Sequence, residues 1–276
     1  MDPVQRAIWF VEGHLFEPFS LEDVADVAGL SRFHLLRAFG QVTGRSVMRY
    51  VRARRLTEAA RVLAGGATDI LSVAFDAGYG SHEAFTRAFR DQFGLTPERV
   101  REQGCARTLD LVEPITLDQM QPVELAPPRL VDHGPLLLAG VLEHYSDGDM
   151  SAIPHQWQRF SPWIGHIPHQ TAPVTYGVVF NGDDDGATDY LTAAEVSDFS
   201  DIPEPLARLR LGAQRYAVFS HMGHVSEIQA VWRTIWAEWV PGQVKRLADA
   251  PFFERYPETF DPMTGKGGFE IWLPVA

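Results

Sequence analysis

Two spacing regimes divide the chain. Up to about residue 103 apolar residues recur three and four apart, with alanine and arginine between them and only Pro3, Pro18 and Pro97 as interruptions, which predicts a helical domain. Beyond that lie β-branched and aromatic runs, VTYGVVF (174–180), RYAVFSHM (215–222) and FEIWLPV (269–275), separated by Pro, Gly and Asp clusters. Two helices interrupt the strands. One is expected over 151–163. The other covers 225–239 and carries Ile228, Val231, Trp232, Ile235, Trp236 and Trp239 along one face. The expected division is 1–105 for the helical domain, 106–119 for a linker and 120–276 for the strand-rich domain.

Charge follows the same division. The whole chain carries −12, but residues 1–105 hold 13 arginines, no lysine and 13 acids, so all the excess acidity lies in the second part. A neutral, arginine-only helical domain is compatible with nucleic acid as partner where the overall charge is not. No apolar run approaches the roughly 18 residues of a membrane span, and the opening residues mix charge with apolar side chains unlike a signal peptide. A cytoplasmic location without membrane contact is expected, and the single cysteine, Cys105, fits a reducing compartment.

The helical domain repeats itself. VADVAGLSRFHLLRAFGQVTG (24–44) aligns with VAFDAGYGSHEAFTRAFRDQFG (73–94) once a single residue is inserted in the turn. In each copy a short helix ends at a glycine able to adopt a left-handed conformation, and a serine, Ser31 or Ser81, caps the next helix. Small alanines permit close crossing, and Phe39 and Phe89 face inward. This is a helix-turn-helix layout. The joining segment 46–65 reads as one long helix, with Val47, Tyr50, Val51, Leu56, Ala59, Ala60 and Leu63 inward and Arg49, Arg52, Arg54 and Arg55 mostly outward.

With these motifs, residues 5–103 resemble the DNA-binding domain of AraC/XylS-type regulators. The resemblance implies that one chain offers two reading helices to successive major grooves of double-stranded DNA. Carried over by position, Arg32, Phe33, Leu36 and Arg37 belong to the first reading helix, and His82, Glu83, Thr86 and Arg87 to the second. Arg37 and Arg87 suit guanine, Glu83 a cytosine amino group, and Phe33 and Leu36 thymine methyls; Arg45 and Arg90 are placed for phosphates. Two reading helices in one chain remove the need for a dimer, so a monomer is favoured.

Residues 120–276 resemble the GyrI-like effector-binding domain, in the order of Rob-like regulators. The fold implied is an all-α domain with two helix-turn-helix units joined by a long helix, followed by an α+β domain of pseudo-twofold β-α-β-β repeats. The resemblance also implies a pocket for a hydrophobic, often cationic, small molecule anchored by a carboxylate on the last strand. In FEIWLPV, period-2 alternation sets Glu270 and Trp272 on one face, and an acid inside an apolar strand is costly unless a cation arrives. Glu270 is therefore the expected anchor, with Trp272, Trp163, Tyr176, Trp232, Phe252 and Tyr256 as aromatic neighbours. Asn181, Asp183, Asp185 and Gly186 imitate the start of a calcium loop, but Thr192 stands where its bidentate Glu belongs, so a hairpin turn is the better reading. His155, His166 and His169 lack the companions of a metal set, and neither metal nor cofactor is called for.

The function expected is a ligand-responsive transcriptional regulator that also contacts RNA polymerase. Two alternatives belong to other classes: a small-molecule hydrolase using Glu270 as general base, and a module acting by protein contact.

Overall fold

The computed structural model describes residues 2–67, 69–116, 123–145, 152–183, 187–243, 246–262 and 264–276. Seven helices open the chain: α1 (Pro3–Gly13), α2 (Leu21–Ala28), α3 (Arg32–Thr43), α4 (Val47–Ala64), α5 (Ile70–Asp76), α6 (His82–Phe93) and α7 (Pro97–Gln103). Their ends are written in the sequence. Ser20, Ser31, Ser46 and Ser81 each accept from a backbone N–H of the following first turn, so four helix starts carry a serine cap. Gly29 lies at φ +72° in the first turn and Gly78 at φ +83° in the second, a region where a side chain would be strained. Both helix-turn-helix units form where the repeat places them.

Their cores differ. The second unit packs on its own cluster, in which Phe85 and Phe89 meet Leu56, Leu63, Val73 and Val100. The first unit shares a continuous core with the rest of the chain: Val4, Val24, Leu35 and Phe39 lie in one cluster with Trp232, Trp236 and Ile271.

The second half is an eight-stranded antiparallel sheet in the order β1-β6-β8-β7-β3-β4-β2-β5. The strands are β1 (Arg129–His133), β2 (Leu136–Tyr145), β3 (Gln170–Phe180), β4 (Thr188–Val196), β5 (Ala207–Leu211), β6 (Gln214–His221), β7 (Phe252–Tyr256) and β8 (Phe269–Val275). Helix α8 (Ile153–Phe160) falls between β2 and β3, and α9 (Ile228–Thr234) between β6 and β7. Each unit thus carries one strand more than expected, and β1 and β5 are exchanged: β1 pairs with β6 of the other unit, β5 with β2. The order reads the same from either edge when β1–β4 trade places with β5–β8. The expected helix over 225–239 changes pitch: a 3-10 turn precedes α9, and Ile235–Trp239 continue it as a π-helix. Asn181 and Asp183 sit between the paired strands β3 and β4, whereas Asp185 and Gly186 of the calcium-like stretch lie outside the described residues.

Arg54, expected outside, is buried at 4% exposure. Its guanidinium pairs with Glu12 and Glu58, each at 2.9 Å, and donates to the Val112 carbonyl at 3.1 Å. Tyr50 completes the fastening: its hydroxyl donates to Glu12 and accepts from the Ile115 N–H. The segment after α7 is thereby pinned along α4, and a spacing argument had no means to see carboxylates arriving from α1. Removing the cation leaves two carboxylates facing each other. Arg54→Ala is expected to cost about 3 kcal/mol, the low end for a broken buried ion pair because both acids still reach water; urea unfolding reads the loss.

Candidate functional site

A cavity of about 630 Å³ lies between the helical domain and the helix-bearing face of the sheet. Trp157 of α8, Tyr190 of β4 and Glu254 and Tyr256 of β7 line it from the sheet side; Gly40, Gln41 and Gly44 line it from the end of α3.

Glu254 is its chemical centre. In β7 the sequence FFERY alternates, so Phe252, Glu254 and Tyr256 point to the helix side, while Phe253 and Arg255 point away. Glu254 is 7% exposed, and its Oε2 accepts from the Tyr190 and Tyr256 hydroxyls, both at 3.0 Å. The Trp157 indole donates in turn to the Tyr190 oxygen at 3.2 Å. Space for this cluster comes from Gly177 on the neighbouring strand, where a Cβ would stand 2.1 Å from the Tyr190 oxygen and 2.8 Å from Glu254 Oε2. Burial pushes the Glu254 carboxyl above its ordinary value, only partly opposed by the two phenols and the Trp232 indole. The Trp232 N–H is near enough to act on the carboxyl, yet it lacks hydrogen-bonding geometry to any partner. Among the described residues, the groups acting on Glu254 are phenols and an indole, not a cation.

Glu270, the expected anchor, lies on the opposite face. Its neighbours Phe269, Ile271 and Leu273 are the ones that turn toward α9 and the shared core. Glu270 is already neutralised: it binds Arg129 at 2.6 Å and Arg255 at 3.2 Å, and accepts from the Trp272 indole at 3.1 Å. Burial would raise its carboxyl, but hydrogen bonds from Arg129 and Trp272 and the two arginine charges hold it below the ordinary value. Trp272 and Tyr176 share that face and pack with Phe253 in a separate cluster. Trp163 packs beside Phe160 beyond α8. Trp232 and Phe252 are on the cavity side but fully packed against each other, with ring centroids 4.8 Å apart. Of the seven residues singled out, Tyr256 alone lines the cavity. Glu254 and Tyr190 were missed, although alternation about Phe252 and Tyr256 puts Glu254 on their face.

The two reading helices are presented differently. On α6, Glu83, Arg87 and Arg90 are exposed, His82 meets Glu98 at 3.2 Å, and Thr86 turns its hydroxyl inward. On α3, Arg32 and the following Arg45 reach solvent, but the rest of the expected reading face is covered by the sheet domain. Helix α3 packs on α9, and Leu36 joins the shared core. The Arg37 guanidinium lies 3.8 Å from the Phe33 ring centroid and 4.7 Å from that of Phe252, and it donates to the Ala250 carbonyl at 2.6 Å. Burial pushes Arg37 down to about 9, with Asp249 opposing, so it stays protonated at neutral pH. The His34 ring reaches the Ala248 carbonyl at 3.4 Å. The family resemblance assigned Phe33, Leu36 and Arg37 to a groove-facing surface; the sequence carried no signal that a neighbouring domain occupies the same face.

A pair of helix-turn-helix units beside a cavity with a buried, cation-free carboxylate defines a two-domain protein of the small-molecule-sensing, DNA-binding kind. Residues 24–103 match a helix-turn-helix domain family and residues 126–276 the GyrI-like small molecule binding domain. The chain belongs to the AraC-type regulators with a C-terminal GyrI-like domain, in the Rob-like arrangement. It is 32% identical to the transcriptional regulator Rob of Salmonella typhimurium over 267 residues, 94% of this chain and 91% of that one. It is also 37% identical to the multiple antibiotic resistance protein MarA of the same organism over 92 residues, 33% of this chain and 72% of that one. Among solved structures, SAV2435 bound to tetraphenylphosphonium aligns at 25% identity and a TM-score of 0.43, over 56% of this chain and 94% of that one. The protein is a ligand-responsive, DNA-binding transcriptional regulator.

The carboxyl at the cavity centre has a consequence for stability. Because its folded value is raised, the native state binds more protons than the unfolded chain above the ordinary carboxylate value of 4.5, so its contribution falls as pH climbs through the raised value. Urea midpoints measured from pH 5 upward should decline in the wild type more steeply than in Glu254→Gln.

Proposed function

We propose that the cavity takes a hydrophobic cation, with Glu254 as its anchor and Tyr190, Tyr256 and Trp157 as its aromatic walls. The observation that carries this reading is a buried carboxylate that has hydroxyl donors but no basic partner. Such a group favours its neutral form alone and its ionised form beside a cation, so an arriving cation supplies the charge the fold omits. Aromatic faces add cation–π attraction within the same enclosure. Ionised Glu254 is needed for binding, so cation affinity rises with pH through the raised carboxyl value and complex formation releases a proton. Calorimetry in buffers of different ionisation heat reads that proton, and Glu254→Gln is expected to lose both the proton and at least about tenfold in affinity.

For DNA, we propose that α3 and α6 are the reading helices and that Arg37 and Arg87 supply their main base contacts, with Arg32, Arg45 and Arg90 on phosphates. In the docked arrangement α6 offers its face directly, and α3 reads a groove only when it leaves the sheet domain. Arg87→Ala is expected to weaken binding to a duplex selected from random sequence by about tenfold, the worth of one good bidentate pair. Unchanged anisotropy titrations at moderate salt would remove α6 from the interface. We read the chain as a cytoplasmic sensor rather than a catalyst, in line with relatives named as regulators, and RNA polymerase as the partner that receives the signal.

A further inference from the structure

One face of α3 carries Phe33, Leu36, Arg37, Gly40 and Gln41, at spacings of three and four, with Gly44 just beyond the helix end. Its first half is docked: Arg37 sits between Phe33 and Phe252 and on the Ala250 carbonyl. Its second half opens onto the cavity, where Gly40, Gln41 and Gly44 stand among the walls with Glu254 and Tyr256. A Cβ built on Gly40 meets nothing within 4 Å, so the space beside that glycine is open; Gly40 and Gln41 line the cavity and also a second, smaller pocket beside Arg37 and Phe252. At Gly44 the nearest atom to such a Cβ is Gln229 Nε2 at 3.6 Å, next to the cavity lining contributed by α9.

We propose that Gly40 and Gln41, residues of the DNA-binding domain, are effector contacts, and that a bound effector and a major groove exclude each other from the same face of α3. The proposal rests on the effector reading above. A molecule filling a space walled by both domains gains contacts from both, and it therefore favours the arrangement in which both walls are present. A major groove, about 12 Å wide, admits α3 only after that face has left the sheet domain. The coupling is then negative and reciprocal: effector weakens the grip of α3 on DNA, and DNA weakens effector binding by the same factor. The small side chain at Gly40 leaves the cavity its volume, a requirement with no counterpart in groove reading.

The test uses the full-length chain, tetraphenylphosphonium as a probe cation, and a duplex selected from random sequence by that chain. Wild type is expected to bind the probe, and both Glu254→Gln and Gly40→Phe to lose at least about tenfold, with the helical circular dichroism and unfolding midpoint of Gly40→Phe close to wild type. Saturating duplex should weaken probe affinity for wild type by about tenfold, inside the usual range for coupled sites. If Glu254→Gln loses the probe while Gly40→Phe keeps it, or if duplex leaves probe affinity unchanged or tightens it, the α3 wall is refuted and the Glu254 reading survives. If wild type does not bind the probe, the effector reading falls and this one with it. Should Gly40→Phe fail to fold, the duplex titration decides alone, since it needs no variant.

Discussion

The arrangement of the whole chain turns on one guanidinium. Arg37 projects from a helix built to meet DNA, yet it lies between two aromatic rings and ends on a backbone carbonyl of the other domain. A buried cation is tolerated only when its donors and its charge are met, and here rings, the Ala250 carbonyl and the nearby Asp249 carboxylate share that task. The same helix packs on α9, and Arg37 and Phe252 line a second, smaller pocket. A side chain suited to a guanine edge is thus equally suited to an aromatic sandwich, because both partners present a flat, electron-rich surface to a flat cation.

The sheet separates two carboxylates that neighbouring strands bring close in sequence register. Arg255 pairs across from Glu270, and Glu254 across from Ile271, so the two acids face opposite sides. Glu270 meets two arginines and is an internal ion pair, with nothing left for a ligand. Glu254 meets phenols, and burial pushes its carboxyl above the ordinary value. Electrostatics rather than strand position decides which acid is available, and Gly177 supplies the clearance that lets a carboxyl and a phenol share one buried site.

The two halves of the repeat have been put to different uses. The second unit has a private core and an exposed reading face; the first is merged into the core of the sheet domain through Leu35, Phe39 and the tryptophans of α9 and the π-helical turn that follows it. The motif the two helices share therefore coexists with unequal access. Arg54, Tyr50 and Thr57 fix the segment after α7 along α4 at Val112 and Ile115.

Local rules determined much of this protein. Apolar spacing, serine caps and left-handed glycines suffice to set α2–α3 and α5–α6, because helix starts and turns are decided by residues within a few positions of each other. Alternation likewise set which residues of β7 and β8 share a face, including Glu254 between Phe252 and Tyr256. What alternation leaves open is which face meets α8 and α9, so the sequence alone pointed to Glu270, and the helices, once in place, to Glu254. Arg54 was assigned to solvent because its carboxylates come from α1 and from its own next turn. The covering of α3 was the least legible feature of all: the residues that dock are the ones the family resemblance assigned to DNA, and only the tertiary structure shows what an adaptable cationic surface is touching.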